Sequence, residues 1–131
     1  MPAMSEKAKA LVARPVIATV ATVATDGSPQ ATPVWIESDG DDLVFNTARG
    51  RVKERNLERD PRVAVSVIDP DDPYNVLVAL GRVLSMETEG ADAHIDKLAK
   101  KYLGVDEYPM RREGEVRVIV RIRPDRIPMQ S

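Results

Sequence analysis

The sequence predicts a mainly β domain of the α+β kind, a small antiparallel barrel of six strands with helices packed outside it. Three observations lead there. Short runs rich in Val, Ile and Thr recur along the chain, and two Asp-Gly turns join the first three of them into a meander. The elements run in the order βββαββαβ, with most strands connected as hairpins. At 131 residues, with 43% hydrophobic residues and no Cys, the chain is one domain, 1–131, able to fill a core without staples.

Each element has its own signal. In 4–13 (MSEKAKALVA), Ser5 is placed to cap a short helix that Pro15 ends. From Val16, VIATVATVA reads as a strand, Thr25-Asp26-Gly27-Ser28 as a turn and PQATPVWIE as a second strand. Ser38-Asp39-Gly40-Asp41 turns the chain into a third strand, DLVFNT. Pro33 cannot donate to a ladder, so its strand is expected to be an edge or to be interrupted. Arg51 to Arg59 (RVKERNLER) lacks alternation and is rich in helix formers, stopping at Asp60-Pro61. Alternation returns in 62–68, Asp69 to Pro73 is a proline-braced turn, and 75–86 is a long strand with Gly81 as a bulge or close-approach point. Residues 88–103 carry Ala91, Ile95, Leu98, Ala99 and Tyr102 at helical spacing, with Gly104 as the stop. EVRVIVRIR, 115–123, is a sixth strand with one wet face.

Composition removes several kinds of chemistry. Without Cys there is no thiolate nucleophile, zinc-thiolate site or iron–sulfur cluster, and one His cannot build a multi-histidine metal site, so no metal is expected. His94, between Asp92 and Asp96, reads as solvent-facing and is set aside as a base. The acidic run Asp69, Asp71 and Asp72 lacks the Gly and closing Glu of a calcium loop. Net charge is −2 and aromatic content 4%, so neither nucleic acid nor an anionic membrane is an expected partner. The uncharged stretch from Pro15 to Thr25 is far shorter than the ~20 residues that cross a bilayer and is studded with Thr, so an uncleaved cytoplasmic protein is expected.

The informative segment lies between the third strand and the helix after it. From Arg49 to Arg62 there are six basic and three acidic residues, a local +3 in an acidic chain. A strand end delivers Asn46 and Thr47, Gly50 permits close approach, and the helix start offers free N–H groups, which together make a phosphate cradle. Arg51 and Lys53 oppose the helix dipole there, which an external anion would explain. The alternative is a solvated helix face on which Glu54 and Glu58 pair with their neighbours, and the two readings weigh evenly. Asn56 falls on the inward helix face, either as part of the site or as a tether. Trp35 reads as core or subunit interface ahead of ring stacking. Tyr74 either reaches a neighbouring site or anchors its loop.

The run PQATPVWIESDGDDLVFNTARGRVKERNLERDPRVAVSVIDPDDPY, with GRV at 81–83 and HIDKLAKKYLG at 94–104, resembles the pyridoxamine 5′-phosphate oxidase-like split β-barrel superfamily. Within it, the NTARGR-x-K-x-x-N signature is similar to the actinobacterial type of deazaflavin (coenzyme F420)-dependent reductases. The resemblance, from about Val16 to Pro124, implies an FMN-binding split-barrel fold and a homodimer with cofactor clefts along the subunit interface. It implies that Arg51 and Lys53 hold the cofactor phosphate and that Asn46, Thr47 and Asn56 arrange the loop and helix around it. Gln30, Thr32, Pro33 and Val34 would line the ring, and Tyr74 would close the cleft. It further implies hydride transfer from reduced F420 to a small electrophilic organic substrate, with no catalytic residue assigned. Arg49, Arg51, Lys53 and Arg55 suit a long polyanion such as the F420 tail, although FMN also bears a phosphate. An FMN flavoprotein on the same barrel and a non-catalytic F420-binding or storage protein are the alternatives. The short chain end after the sixth strand lacks the arginine segment of the vitamin B6 oxidases.

Overall fold

The computed structural model describes residues 2–131. The chain forms α1 (Glu6–Ala13), β1 (Ile17–Val23), β2 (Pro29–Asp39), β3 (Asp42–Ala48), α2 (Val52–Arg59), β4 (Arg62–Asp69), β5 (Asp72–Glu87), α3 (Ala91–Leu103) and β6 (Arg117–Gln130). The six strands close an antiparallel barrel in the order β1-β2-β3-β6-β5-β4, the mainly β architecture with flanking helices that the patterning predicts.

Alternation decides what fills it. Ala18, Val20, Val34, Ile36, Val65, Val67, Leu77, Val118, Val120 and Ile122 point inward with Leu43 and Phe45, and all are almost fully buried. Ser5 caps α1, its Oγ accepting the Ala8 N–H at 3.0 Å. The helix sends Ala8, Leu11 and Val12 into the same cluster. On the other side α3 buries Ala91, Ile95, Leu98 and Ala99. Tyr102 pins it to the barrel, its Oη donating to the Val16 carbonyl at 2.6 Å and accepting the Ile36 N–H at 2.9 Å.

Several boundaries differ from the sequence expectation. The turn expected over 69–73 shrinks, because β4 runs to Asp69 and β5 starts at Asp72. Asp69 holds that turn by accepting from the Asp71 N–H and Asn75 Nδ2. β6 continues to Gln130 despite Pro124 and Pro128, because β5 stays beside it through several register shifts. α3 starts at Ala91 rather than at residue 88.

The feature that matters for function is where β2 changes partner. Pro29 to Trp35 pair with β1 alone, and Ile36 to Asp39 pair with β3 alone. Pro33 therefore sits in a half-strand with an open side, as its missing donor requires. Beyond the Ile36–Phe45 pair the strands part, and Asn46 to Ala48 pair only with β6.

Candidate functional site: a cationic cleft in the fork of the barrel

The fork holds a cleft of about 310 Å³. Its walls come from Pro33, Val34 and Trp35 of β2, Asn46 and Thr47 of β3, Arg51 and Lys53 at the head of α2, and Arg117 at the start of β6. Ile17, Ile95, Tyr108 and Met110 complete it. Of the residues picked from sequence, Pro33, Val34, Asn46, Thr47, Arg51 and Lys53 thus meet at one place.

Four others do not line it. Asn56 is buried on the far side of α2, its Nδ2 donating to Thr22 Oγ1 at 3.0 Å and its Oδ1 accepting from Arg59. That is the tether alternative. Gln30 Oε1 lies 3.3 Å from the same Thr22 hydroxyl, and Thr32, opposite Val20 in the ladder, keeps its Oγ1 buried and without a hydrogen bond among the described residues. Tyr74 is 88% exposed on the β4–β5 hairpin.

The head of α2 explains how the basic residues are presented. Gly50 has φ of +89°, a left-handed conformation that a side chain would strain. Glu54 Oε1 accepts the Gly50 N–H at 2.8 Å. Arg51 is the N-cap without a side-chain capping bond, and the chain's own acids reach the loop unequally. Arg49 is engaged by Glu58 at 2.7 Å and Glu54 at 3.7 Å, so the helix-face alternative describes this arginine. Among the described residues Arg51 pairs only with Glu115, at 3.8 Å. Lys53 is half-buried and makes neither an ion pair nor a hydrogen bond among the described residues. Burial first, and then the neighbouring Arg51 and Arg117, push its ammonium below the usual lysine range.

Sequence reasoning missed the opposite wall. Arg117 is 5% exposed; its Nε donates to Asn46 Oδ1 at 2.8 Å, its Nη1 to Glu115 Oε1 at 3.0 Å, and its guanidinium lies 5.1 Å from the Tyr108 ring centre. In EVRVIVRIR it looked like one more charge on a wet strand face; the Glu-x-Arg spacing at the strand's start was the available clue. Trp35 stacks on Tyr102 at 5.1 Å and meets Tyr108 edge-on at 5.9 Å, so it braces the cleft wall.

His94 is the main correction. Its side chain is 9% exposed rather than solvent-facing. Nδ1 lies 3.0 Å from Asn46 Nδ2, and Nε2 lies 2.7 Å from Glu37 Oε1. Asp92 and Asp96, which seemed to place it in solvent, instead pair with Arg111.

Together the cleft presents Arg51, Lys53 and Arg117 against one acid, Glu115, and a Thr47 hydroxyl that is buried without a partner. Three cations sharing one carboxylate, with Lys53 unpartnered among the described residues, beside an orphaned hydroxyl and apolar walls fit an anionic ligand with a flat apolar portion.

A six-stranded antiparallel barrel that parts on one flank around a cationic cleft defines the split-barrel class. Within that class, the chain belongs to the pyridoxamine 5′-phosphate oxidase family, whose model matches residues 4–131. It is 36% identical to an F420 reductase of known structure, with a TM-score of 0.80 over 91% of this chain and 94% of that one. A conserved hypothetical protein from Mycobacterium tuberculosis matches at 25% identity and TM-score 0.74, over 95% and 82% of the two chains. General Stress Protein 26 from Bacillus anthracis shares the fold at 22% identity and TM-score 0.67, over 93% and 89%. Among the described residues no helix is long and apolar enough to cross a membrane.

Proposed function

We propose that this protein is a cytoplasmic F420-dependent oxidoreductase, acting on a small electrophilic organic substrate as a homodimer with its clefts at the subunit interface. The observation that carries the reading is the cation surplus of the cleft, Arg51, Lys53 and Arg117 against Glu115. The similarity to an F420 reductase over nearly the whole chain supports it.

In this reading Arg51 and Lys53 hold the cofactor phosphate, Thr47 supplies its free hydroxyl, and Asn46 and Asn56 secure the strand end and helix that present them. Pro33 and Val34 bound the ring, with Gln30 and Thr32 in the N-terminal half of the same strand. When bound, a reduced deazaflavin supplies a hydride. The apolar walls exclude water from the ring, and the chain's part is position and electrostatics.

The homodimer has its own support. The outward residues of β2, β1, β4 and β5 form uncharged rows, Pro33–Thr19–Ser66–Val78 and Ala31–Ala21–Ala64–Leu80, with Ile17 and Ile68 on one side and the Arg62–Arg82 row bordering them on the other. Two adjacent uncharged, partly apolar rows rimmed by arginines suit a second copy. It adjoins the cleft, which shares Ile17 and Pro33 with it. Tyr74, exposed beyond Val76 on the same face, then closes the cleft from the partner.

The test is a pair of titrations, F420 and FMN at equal ionic strength, followed by ring fluorescence or absorbance. Tight F420 binding with weak FMN binding is expected; preference for FMN moves the protein to the flavin branch, and binding of neither removes the cofactor reading.

A further inference from the structure

We infer that His94 is a positioning residue for the cleft, acting through Asn46 to hold the guanidinium of Arg117. Its consequence for ligand binding rests on the reading above.

Chemistry fixes the direction of every bond in the chain. Arg117 Nε can only donate, so the Asn46 atom 2.8 Å away is its carbonyl oxygen. The Asn46 amide nitrogen then faces the Ala91 carbonyl at 3.0 Å, which can only accept, so the side chain has a single consistent orientation. The other N–H of that amide points at His94 Nδ1 at 3.0 Å, which must therefore accept. His94 consequently carries its proton on Nε2 and donates it to Glu37 Oε1 at 2.7 Å. Glu37 is held in turn by Lys97 Nζ at 3.3 Å from its second oxygen.

The path from Glu37 through His94 and Asn46 to Arg117 joins β2, α3, β3 and β6, and it continues to Arg51 through Glu115. Asn46 and Arg117 are almost fully buried, so a broken link leaves polar groups without water to replace the partner. Arg117 Nη2 makes no hydrogen bond among the described residues, which leaves it for a ligand in the cleft it lines. The imidazole does not line the cleft, so its effect is orientational.

The test uses the full chain and two readouts. Long-range ¹H–¹⁵N spectra of wild type should show the Nε2–H tautomer of His94 and a protected Arg117 Nε–H. His94→Phe should shift or broaden the Arg117 signal and weaken F420 binding about tenfold, the worth of one oriented hydrogen bond. Because His94→Phe could unfold the packed α3, Glu37 is varied too. Glu37→Gln keeps an acceptor for Nε2–H and should leave the Arg117 signal in place, whereas Glu37→Leu should disturb it. An Nδ1–H tautomer in wild type, or an Arg117 signal unmoved in folded His94→Phe and Glu37→Leu, overturns the inference. If wild type binds neither F420 nor FMN, the cofactor reading fails while the spectra still decide the role of His94.

Discussion

Glu54 accepts the backbone N–H of Gly50 at 2.8 Å, so a carboxylate 2% exposed anchors the loop that presents Arg49 and Arg51. Its other oxygen has no hydrogen-bond partner, and Arg49 stands 3.7 Å away. Burial first, and then the neighbouring Glu58 carboxylate, raises the Glu54 carboxyl above its ordinary 4.5, while Glu54 in turn lowers Glu58. A carboxyl raised on folding keeps its proton longer in the native state. Its stabilisation is full below the unfolded value and is lost as pH rises through the folded one. Glu54→Gln keeps an acceptor for Gly50 and has no proton to lose over this range, so it should flatten this decline. Glu54→Ala orphans the Gly50 N–H and should cost about 1–3 kcal/mol. Urea unfolding between mildly acid and neutral pH checks both; a Gln variant as pH-dependent as wild type would sink the argument.

Arg51→Ala with Lys53→Ala should weaken cofactor binding by at least about a hundredfold, from two charge-assisted contacts of roughly 1.5–3 kcal/mol each. The fold should survive. Arg51 gives up one long contact, and Lys53 has no partner among the described residues to leave stranded. Unchanged affinity in the parallel titrations, with an unchanged melting temperature, removes the phosphate cradle.

Thr19→Arg puts a charge in the middle of the uncharged rows, opposite Pro33 on one side and Ser66 on the other. The exposed site should leave the monomer folded, yet burying an unpaired guanidinium between two copies is costly enough to dissociate them. Sedimentation should give a dimer for wild type and a monomer for the variant. A wild-type monomer would instead mean that the face has another occupant or none.

Gly81→Ala tests the close approach between β5 and β6. A Cβ there would lie 2.2 Å from the Arg123 carbonyl oxygen and 2.9 Å from Pro124 Cα, both backbone atoms that cannot swing aside. A loss of about 1–3 kcal/mol or more is expected by thermal or urea unfolding. A wild-type melting curve would mean that the register shift beside Gly81 absorbs the methyl.

The part of the site carried by one stretch of chain was legible. Asn46, Thr47, Arg51 and Lys53 lie within a single strand-to-helix passage, so local pattern and charge count were enough to bring them together. Asn56 pointed inward as its helical position required, but only the packing of α2 on β1 showed that it meets Thr22 instead of the cleft. Arg117 could not be found this way. It stands 71 residues from the Asn46 it bonds, and strand alternation gives a charged residue the same appearance on a wet face as in a cleft.

His94 shows the same division most clearly. Flanking aspartates and helical spacing pointed it to solvent, and the barrel turned that side of α3 onto β2 and β3. The sequence by itself determined the strands, the helices, the Asp-Gly turns and the basic helix start, because these follow from local stereochemistry and from side-chain period. The tertiary structure alone decided the fork between β2 and β3, the opposing Arg117 wall and the burial of His94. Those depend on which strands pair over long separations, and no local pattern encodes that choice.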